Sequence, residues 1–266
     1  MLTRIEWSQA DAQTRRRLFE RPSLGSDAVA VAQSILNDVR ERGDQAVREY
    51  AERLDGWAPE TGFQVPTSEL KAAADALSDA DREAILAAAD AVRTFHAEQG
   101  YRAYEVQTWP GARAGRRVTP LDVAGLYVPA GTAPLVSTLI MLAVPAQLAG
   151  VPRIAVIAPP RKGSGVEPTV LAAAFLLGVE EVYAIGGAHG VAALGLGVAG
   201  LPKADKIFGP GNAYVAAAKA LLAQSPDGAA ADLPAGPSEV MVIADDAADA
   251  ELVAIDLLSQ AEHEIG

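Results

Sequence analysis

The chain has no cysteine, and among its 266 residues only 5% are aromatic and three are histidine. The first absence excludes disulfides, thiolate zinc sites and thiol nucleophiles together. The scarcity of rings points to a core of alanine and aliphatic side chains, which suits closely packed helices. Long apolar runs are missing too: none reaches the ~18 residues that a membrane-spanning helix needs. The N-terminal Met1-Leu-Thr-Arg-Ile-Glu-Trp7 has no apolar signal core. Positive charge is short as well, with 22 Lys and Arg against 34 Asp and Glu and a formal net charge of −12. Such a surface repels phosphate backbones and acidic membranes. The expectation is a cytoplasmic protein with a small-molecule partner and neither nucleic acid nor membrane as a partner.

What the chain does have is hydrophobic residues, half of the total, and 24 glycines. That length and composition support a large core and two domains. In the N-terminal region the apolar residues fall at helical spacing. Ser26 and Asp27 can cap a helix carrying Ala28, Ala32, Ile35, Leu36 and Val39, ended by Gly43. A second helix from Asp44 carries Val47, Tyr50, Ala51 and Leu54 and stops at Gly56. Ser78 and Asp81 resemble a capping box opening a longer helix, with Ile85, Ala89, Val92, Phe95 and His96 on one face. On that face His96 is a half-buried packing residue rather than a ligand. The Arg15-Arg16-Arg17 run is read as a solvated helix face.

From residue 116 the pattern changes. Arg116–Leu121 and Val123–Val128 read as extended, with a hairpin near Pro120. Strand–turn–helix units follow, the pattern of a parallel sheet. Strands are expected at Arg153–Ala158, Glu181–Ile185, Ala204–Phe208 and Glu239–Ala244. Helices are expected at Pro168–Leu177, Ala188–Leu194, Ala213–Leu222 and Ala248–His263.

Three strand ends open into turns of small residues: Val128–Pro134, Gly186-Gly187-Ala188 and Gly209-Pro-Gly-Asn212. Turns at the carboxyl ends of parallel strands are where open α/β sheets bind ligands, and helix N-termini there favour anions. Together the three favour a nucleotide or another anionic ligand. Read singly, the candidates have plain roles. Asn212 is a helix N-cap, Tyr127 a packing aromatic with a wet hydroxyl, and Ser238 a turn residue. Gln260 and His263 stand three apart on one helix face, a thin donor set for a metal.

Longer strings carry more. Gly125-Leu-Tyr-Val-Pro-Ala-Gly-Thr-Ala-Pro134, Pro202-Lys-Ala-Asp-Lys-Ile-Phe-Gly-Pro-Gly-Asn212, Pro234-Ala-Gly-Pro-Ser-Glu239 and Leu257-Leu-Ser-Gln-Ala-Glu-His263 resemble histidinol dehydrogenase, in that family's order and spacing. The resemblance implies two successive NAD-dependent oxidations, taking L-histidinol through the aldehyde to L-histidine. It implies that Tyr127 and Asn212 contact NAD and that Ser238 contacts substrate. Gln260 and His263 would be both zinc ligands and substrate contacts, the zinc orienting the substrate while nicotinamide does the redox work. The implied fold is α/β, with two Rossmann-like parallel-sheet units lacking the standard Gly-x-Gly-x-x-Gly fingerprint, a helical N-terminal region and an aldehyde-dehydrogenase-like architecture. Residues 123–231 would be an inserted NAD-binding domain, and 1–122 with 232–266 a discontinuous outer domain. The family is a homodimer.

Two departures qualify the resemblance. The family's Gly-Gly-Ala-Gln reads Gly186-Gly-Ala-His189 here, so the role of that Gln in contacting NAD is not transferred to His189. The family also continues past the Gln-Ala-Glu-His string to a Glu-His general base and further zinc ligands. The sequence is therefore expected to be C-terminally truncated, with a missing general base and an incomplete zinc site. Two other readings stay open: a related zinc- and NAD-dependent dehydrogenase of another amino or hydroxy alcohol, and a truncated, non-catalytic dinucleotide-binding protein. An aldehyde dehydrogenase proper is set aside, because its nucleophile is a cysteine.

Overall fold

The computed structural model describes residues 5–19, 26–129, 135–161, 164–233 and 240–261. Of the sequence candidates, Ser238 and His263 lie outside these residues. The chain divides into two compact units, Ser26–Ala235 and a smaller one joining Met1–Gly25 to Gly236–Gly266.

In the smaller unit a 3-10 turn, Trp7–Gln9, precedes α1 (Ala12–Phe19). The Arg15 guanidinium donates to the Trp7 carbonyl at 2.8 Å and lies 4.8 Å from the centre of its ring. Arg16 and Arg17 stay exposed, so the expected solvated face holds for them and not for Arg15. The last helix, α10 (Ala250–Ala261), buries none of its residues. The strand expected at Glu239–Ala244 is not formed over its described part, 240–244. A strand needs a neighbour for its ladder, and Met241 and Ile243 are largely exposed.

The larger unit begins with α2 (Ser26–Arg42), which buries Ala28, Ala32, Ile35, Leu36 and Val39, the five positions the periodicity selects. α3 (Asp44–Tyr50) passes into a π-helical turn, Ala51–Asp55, ended by Gly56 at φ +65°. That wider turn leaves Leu54 exposed and carries Asp55 toward the sheet. α4 (Thr67–Asp75) has no counterpart in the sequence reading. α5 (Asp79–Ala97) opens as expected, with the Ser78 hydroxyl accepting the Asp81 N–H. His96 is half-buried on it, whereas Phe95 is exposed.

The hairpin is formed earlier than the sequence suggested. β1 (Tyr104–Trp109) pairs antiparallel with β2 (Ala112–Arg116), and the turn is at Pro110-Gly111 rather than Pro120. Gly111 at φ +85° makes that turn possible. Residues 117–121 are not strand.

A parallel sheet follows: β3 (Val123–Tyr127), α6 (Val136–Leu148), β4 (Arg153–Ala158), α7 (Pro168–Leu176), β5 (Glu181–Ala184), α8 (Gly187–Leu196), β6 (Lys206–Phe208), α9 (Ala213–Ala223) and β7 (Ala230–Ala231). The strand order is β5-β4-β3-β6-β7 with every pair parallel. Counted from β3, that is the 3-2-1-4-5 order of a dinucleotide-binding sheet. Among the described residues this is the one parallel sheet. Two apolar clusters cover its faces: Leu36, Val39, Val47, Val191 and Leu222 on one side, and Leu70, Ile85, Leu139, Val170 and Leu171 on the other. Thus α2, α3, α8 and α9 lie on one face and α4 to α7 on the other. A literal Gly-x-Gly-x-x-Gly string, Gly195–Gly200, does occur in the sequence. It overlaps the C-terminal end of α8, so its glycines end a helix instead of opening one as the fingerprint requires. No described helix is long and apolar enough to cross a membrane.

Candidate functional site

The order of the strands locates the site. Connections from β3 and β4 run over one face and those from β5 and β6 over the other, so the crevice beyond the carboxyl ends of β3 and β6 is the switch point. Tyr127 ends β3, and Gly209-Pro210-Gly211-Asn212 leads from β6 into α9. The two meet closely. Gly209 has φ +116°, and a β-carbon there would collide with the Tyr127 carbonyl oxygen. Only glycine lets the turn lie against β3.

Asn212 caps α9, its Oδ1 accepting the N–H groups of Tyr214 and Val215, each at 3.1 Å. This is the plain role foreseen for it, and it engages the oxygen end of the amide. Tyr127 is 3% exposed, with its hydroxyl accepting the Gly187 N–H at 3.3 Å. It is therefore not the wet-tipped aromatic the sequence suggested. Burial pushes its pKa up to about 12, only partly offset by the Gly187 hydrogen bond.

The sign of the resulting pH dependence is fixed. An unfolded tyrosine ionises near pH 10, so the contribution from Tyr127 is fully present below that and is lost as pH rises toward 12. Unfolding free energies of wild type and Tyr127→Phe, from urea titrations, should converge by about 2 kcal/mol across that window. A constant gap would contradict the buried, neutral hydroxyl.

The Gly186-Gly187 turn is not the open anion cradle expected from sequence. Its first N–H donates to Asp55 Oδ2 at 3.0 Å and its second to Tyr127. His189, fully buried, sets Nε2 3.1 Å from the same Asp55 oxygen and stacks on Tyr50 with ring centres 6.2 Å apart. Its Nδ1 is buried without a partner among the described residues. Both N–H groups are thus occupied, and a carboxylate lies beneath them.

The turn after β6 is also held from below. Asp232 Oδ2 accepts the Gly209 N–H at 2.7 Å, and buried Lys219 donates to the Gly209 carbonyl at 2.7 Å and pairs with Asp232. Asp55, Lys219 and Asp232 were not singled out from sequence. Each is one polar residue in a local context of its own, brought into place by tertiary contacts. The one available signal was Lys219, a charge within the apolar stretch Ala216–Leu222. A separate cavity of about 620 Å³ is lined mainly by apolar side chains, including Leu126, Met141, Leu142 and Phe208, with His96 at its edge. Its polar lining residues are His96, Gln99, Tyr101 and Thr119, with His96 Nδ1 2.7 Å from Gln99 Oε1.

Gln260 is half-exposed on α10 in the smaller unit. Among the described residues no three His, Cys, Asp or Glu side chains gather as a metal site.

The sequence profile of histidinol dehydrogenase matches residues 20–266. The chain belongs to the histidinol dehydrogenase family. It is 44% identical to the histidinol dehydrogenases of Escherichia coli K12 and Salmonella typhimurium LT2 over 263 residues, which are 98% of this chain and 59% of each relative. It also matches the crystal structure of histidinol dehydrogenase from Elizabethkingia anophelis, with a TM-score of 0.84 and 40% identity, over 96% of this chain and 58% of that one. The chain therefore spans about three fifths of the length of the histidinol dehydrogenases it matches. The expected α/β fold and family are both borne out.

Proposed function

We propose that this chain supplies the dinucleotide-binding part of a zinc-dependent, NAD-linked dehydrogenase that oxidises L-histidinol to L-histidine through the aldehyde, in histidine biosynthesis. The observation that carries the reading is the switch-point crevice itself, where a glycine turn pressed against Tyr127 leads into a capped helix in a chain of this family. In this reading residues 123–231 form the NAD-binding domain, and 1–122 with 232–266 belong to an outer domain. The whole enzyme works in the cytoplasm as a homodimer.

The crevice fits a dinucleotide. Gly209 brings backbone close to the cofactor position, and α9 turns its N-terminus toward it. Asn212 would donate its free Nδ2 to NAD, and Tyr127, neutral at ordinary pH, would donate the proton its hydroxyl retains. NAD, when bound, accepts hydride from the substrate. Ser238, Gln260 and His263 would contact L-histidinol. Zinc fits less well. Gln260 and His263 would fill only two positions of a tetrahedral site, and among the described residues no three His, Cys, Asp or Glu side chains gather to hold a metal.

Titration calorimetry of NAD⁺ into this chain without zinc tests the reading. Saturable binding at about millimolar or tighter is expected, the range of ordinary cofactor and substrate affinities. Asn212→Asp keeps the helix cap but replaces the donor with a negative charge. It should lose most of the binding while keeping the melting temperature. No binding by wild type at several times that concentration would overturn the proposal.

A further inference from the structure

We propose that Lys219 and Asp232 are positioning residues for the cofactor crevice: a charge-balanced pair that fixes the Gly209 turn without leaving a net negative charge beneath it. This rests on the reading that the crevice binds a dinucleotide.

The pair is an expensive arrangement for its place. Lys219 is 4% exposed on α9, among Val215, Ala216, Ala218 and Leu222, all of them buried. An apolar side chain would pack there at no desolvation cost, and buried ion pairs are weak sources of stability. What the pair secures is specific. Asp232 takes the N–H of Gly209 and Lys219 takes its carbonyl, so the peptide groups on both sides of one residue are held. Gly209 is the residue whose missing β-carbon allows the turn to lie on Tyr127. Beside the pair lies a hollow of about 20 Å³, lined by Gly209, Gly211, Val215, Ala216, Lys219 and Asp232, about the size of one water.

The charges explain why two residues are needed. A carboxylate is a strong acceptor for a backbone N–H, but alone it would place a negative charge below the end of the helix that receives the cofactor's phosphates. Lys219 cancels that charge while satisfying the Gly209 carbonyl. Asp55, by contrast, sits under the Gly186 turn with His189 as its partner.

The two ideas of charge balance and simple structural support predict different orders of effect. Lys219→Met leaves Asp232 uncompensated and should weaken NAD⁺ binding by about 10-fold or more, as for loss of a charged hydrogen-bond partner. Asp232→Asn keeps an acceptor for Gly209 and leaves an excess positive charge, so binding should hold or tighten. The double variant is neutral again and should regain most of the affinity lost in Lys219→Met. The loss in Lys219→Met should also grow at low ionic strength. A structural brace predicts instead that affinity follows melting temperature, with Asp232→Asn impaired and the double variant worst. That outcome, or wild-type affinity in Lys219→Met, would overturn the inference while leaving the cofactor site intact. Failure of wild type itself to bind NAD⁺ would instead remove the reading on which it rests. Amide exchange at Gly209 gives a readout independent of ligand. It should be faster in Lys219→Met, and unchanged exchange would also overturn the positioning role.

Discussion

Mixed with NAD⁺, zinc and L-histidinol, the 266-residue polypeptide is expected to form no NADH above background. A version continued through the region that its relatives have beyond the match is expected to turn over. The match leaves about two fifths of each relative uncovered, and under the proposed function the general base and the remaining zinc ligands would lie there. Without a positioned base the substrate hydroxyl has no acceptor for its proton as hydride leaves, a loss of ~10²–10⁴-fold by itself. An incomplete metal site would remove the orientation of the substrate as well. The structure adds a third reason. Catalytic groups must be held to within ~0.5 Å, yet the helix bearing Gln260 buries none of its residues, and Leu252, Ile255 and Leu258 on it are exposed. Among the described residues, that helix has no buried side chain to hold its orientation. Steady production of NADH by the 266-residue polypeptide would refute the assignment of the missing groups. An inactive longer version would refute the proposed substrate.

Residues whose environment follows from local periodicity were legible in the sequence. The five buried positions of α2, the cap of α5 at Ser78 and the ends of β4 all came from spacing and capping chemistry. Asn212 was read both as a cap and as a site residue, and its two amide ends allow both. Legibility failed where tertiary contacts decide. Short α4 buries only Leu70 and Ala74, too few apolar positions to show a period. The hairpin strands are exposed along their whole length, so no alternation marks them, and Pro110-Gly111 and Pro120 are equally plausible turn signals by residue type. Asp55 reaches Gly186 across 131 residues of chain from the end of a π-helical turn. No spacing rule reports such a partner. The Gly186-Gly187 turn looked like a cradle for the same reason: the sequence shows its N–H groups but not what already occupies them.

Gly209→Ala is expected to be the most damaging small substitution in the larger unit, at about 3–5 kcal/mol, combining a strained backbone with a clash. Its φ of +116° is one that side-chain-bearing residues rarely adopt. The new methyl would also run into the Tyr127 carbonyl and lie 3.1 Å from Leu142 Cδ1. The carbonyl belongs to β3, the central strand, and cannot swing aside as a side-chain end would. Lys219 and Asp232 hold Gly209 from the other side, so the turn cannot retreat without breaking those bonds. The strain must therefore separate β6 from β3 at the crevice, and NAD⁺ binding should be lost along with stability. Gly43→Ala provides the comparison. It also has positive φ, +56°, but nothing lies within 4 Å of the added carbon. With ψ −128° it lies outside the left-handed α well, so its cost should be about 1–3 kcal/mol, the conformational part alone, with cofactor affinity unchanged. Urea unfolding and NAD⁺ titration of both variants separate the terms. Similar losses in the two would mean that Gly209 contributes only its backbone conformation, and that the close approach to Tyr127 does not shape the site.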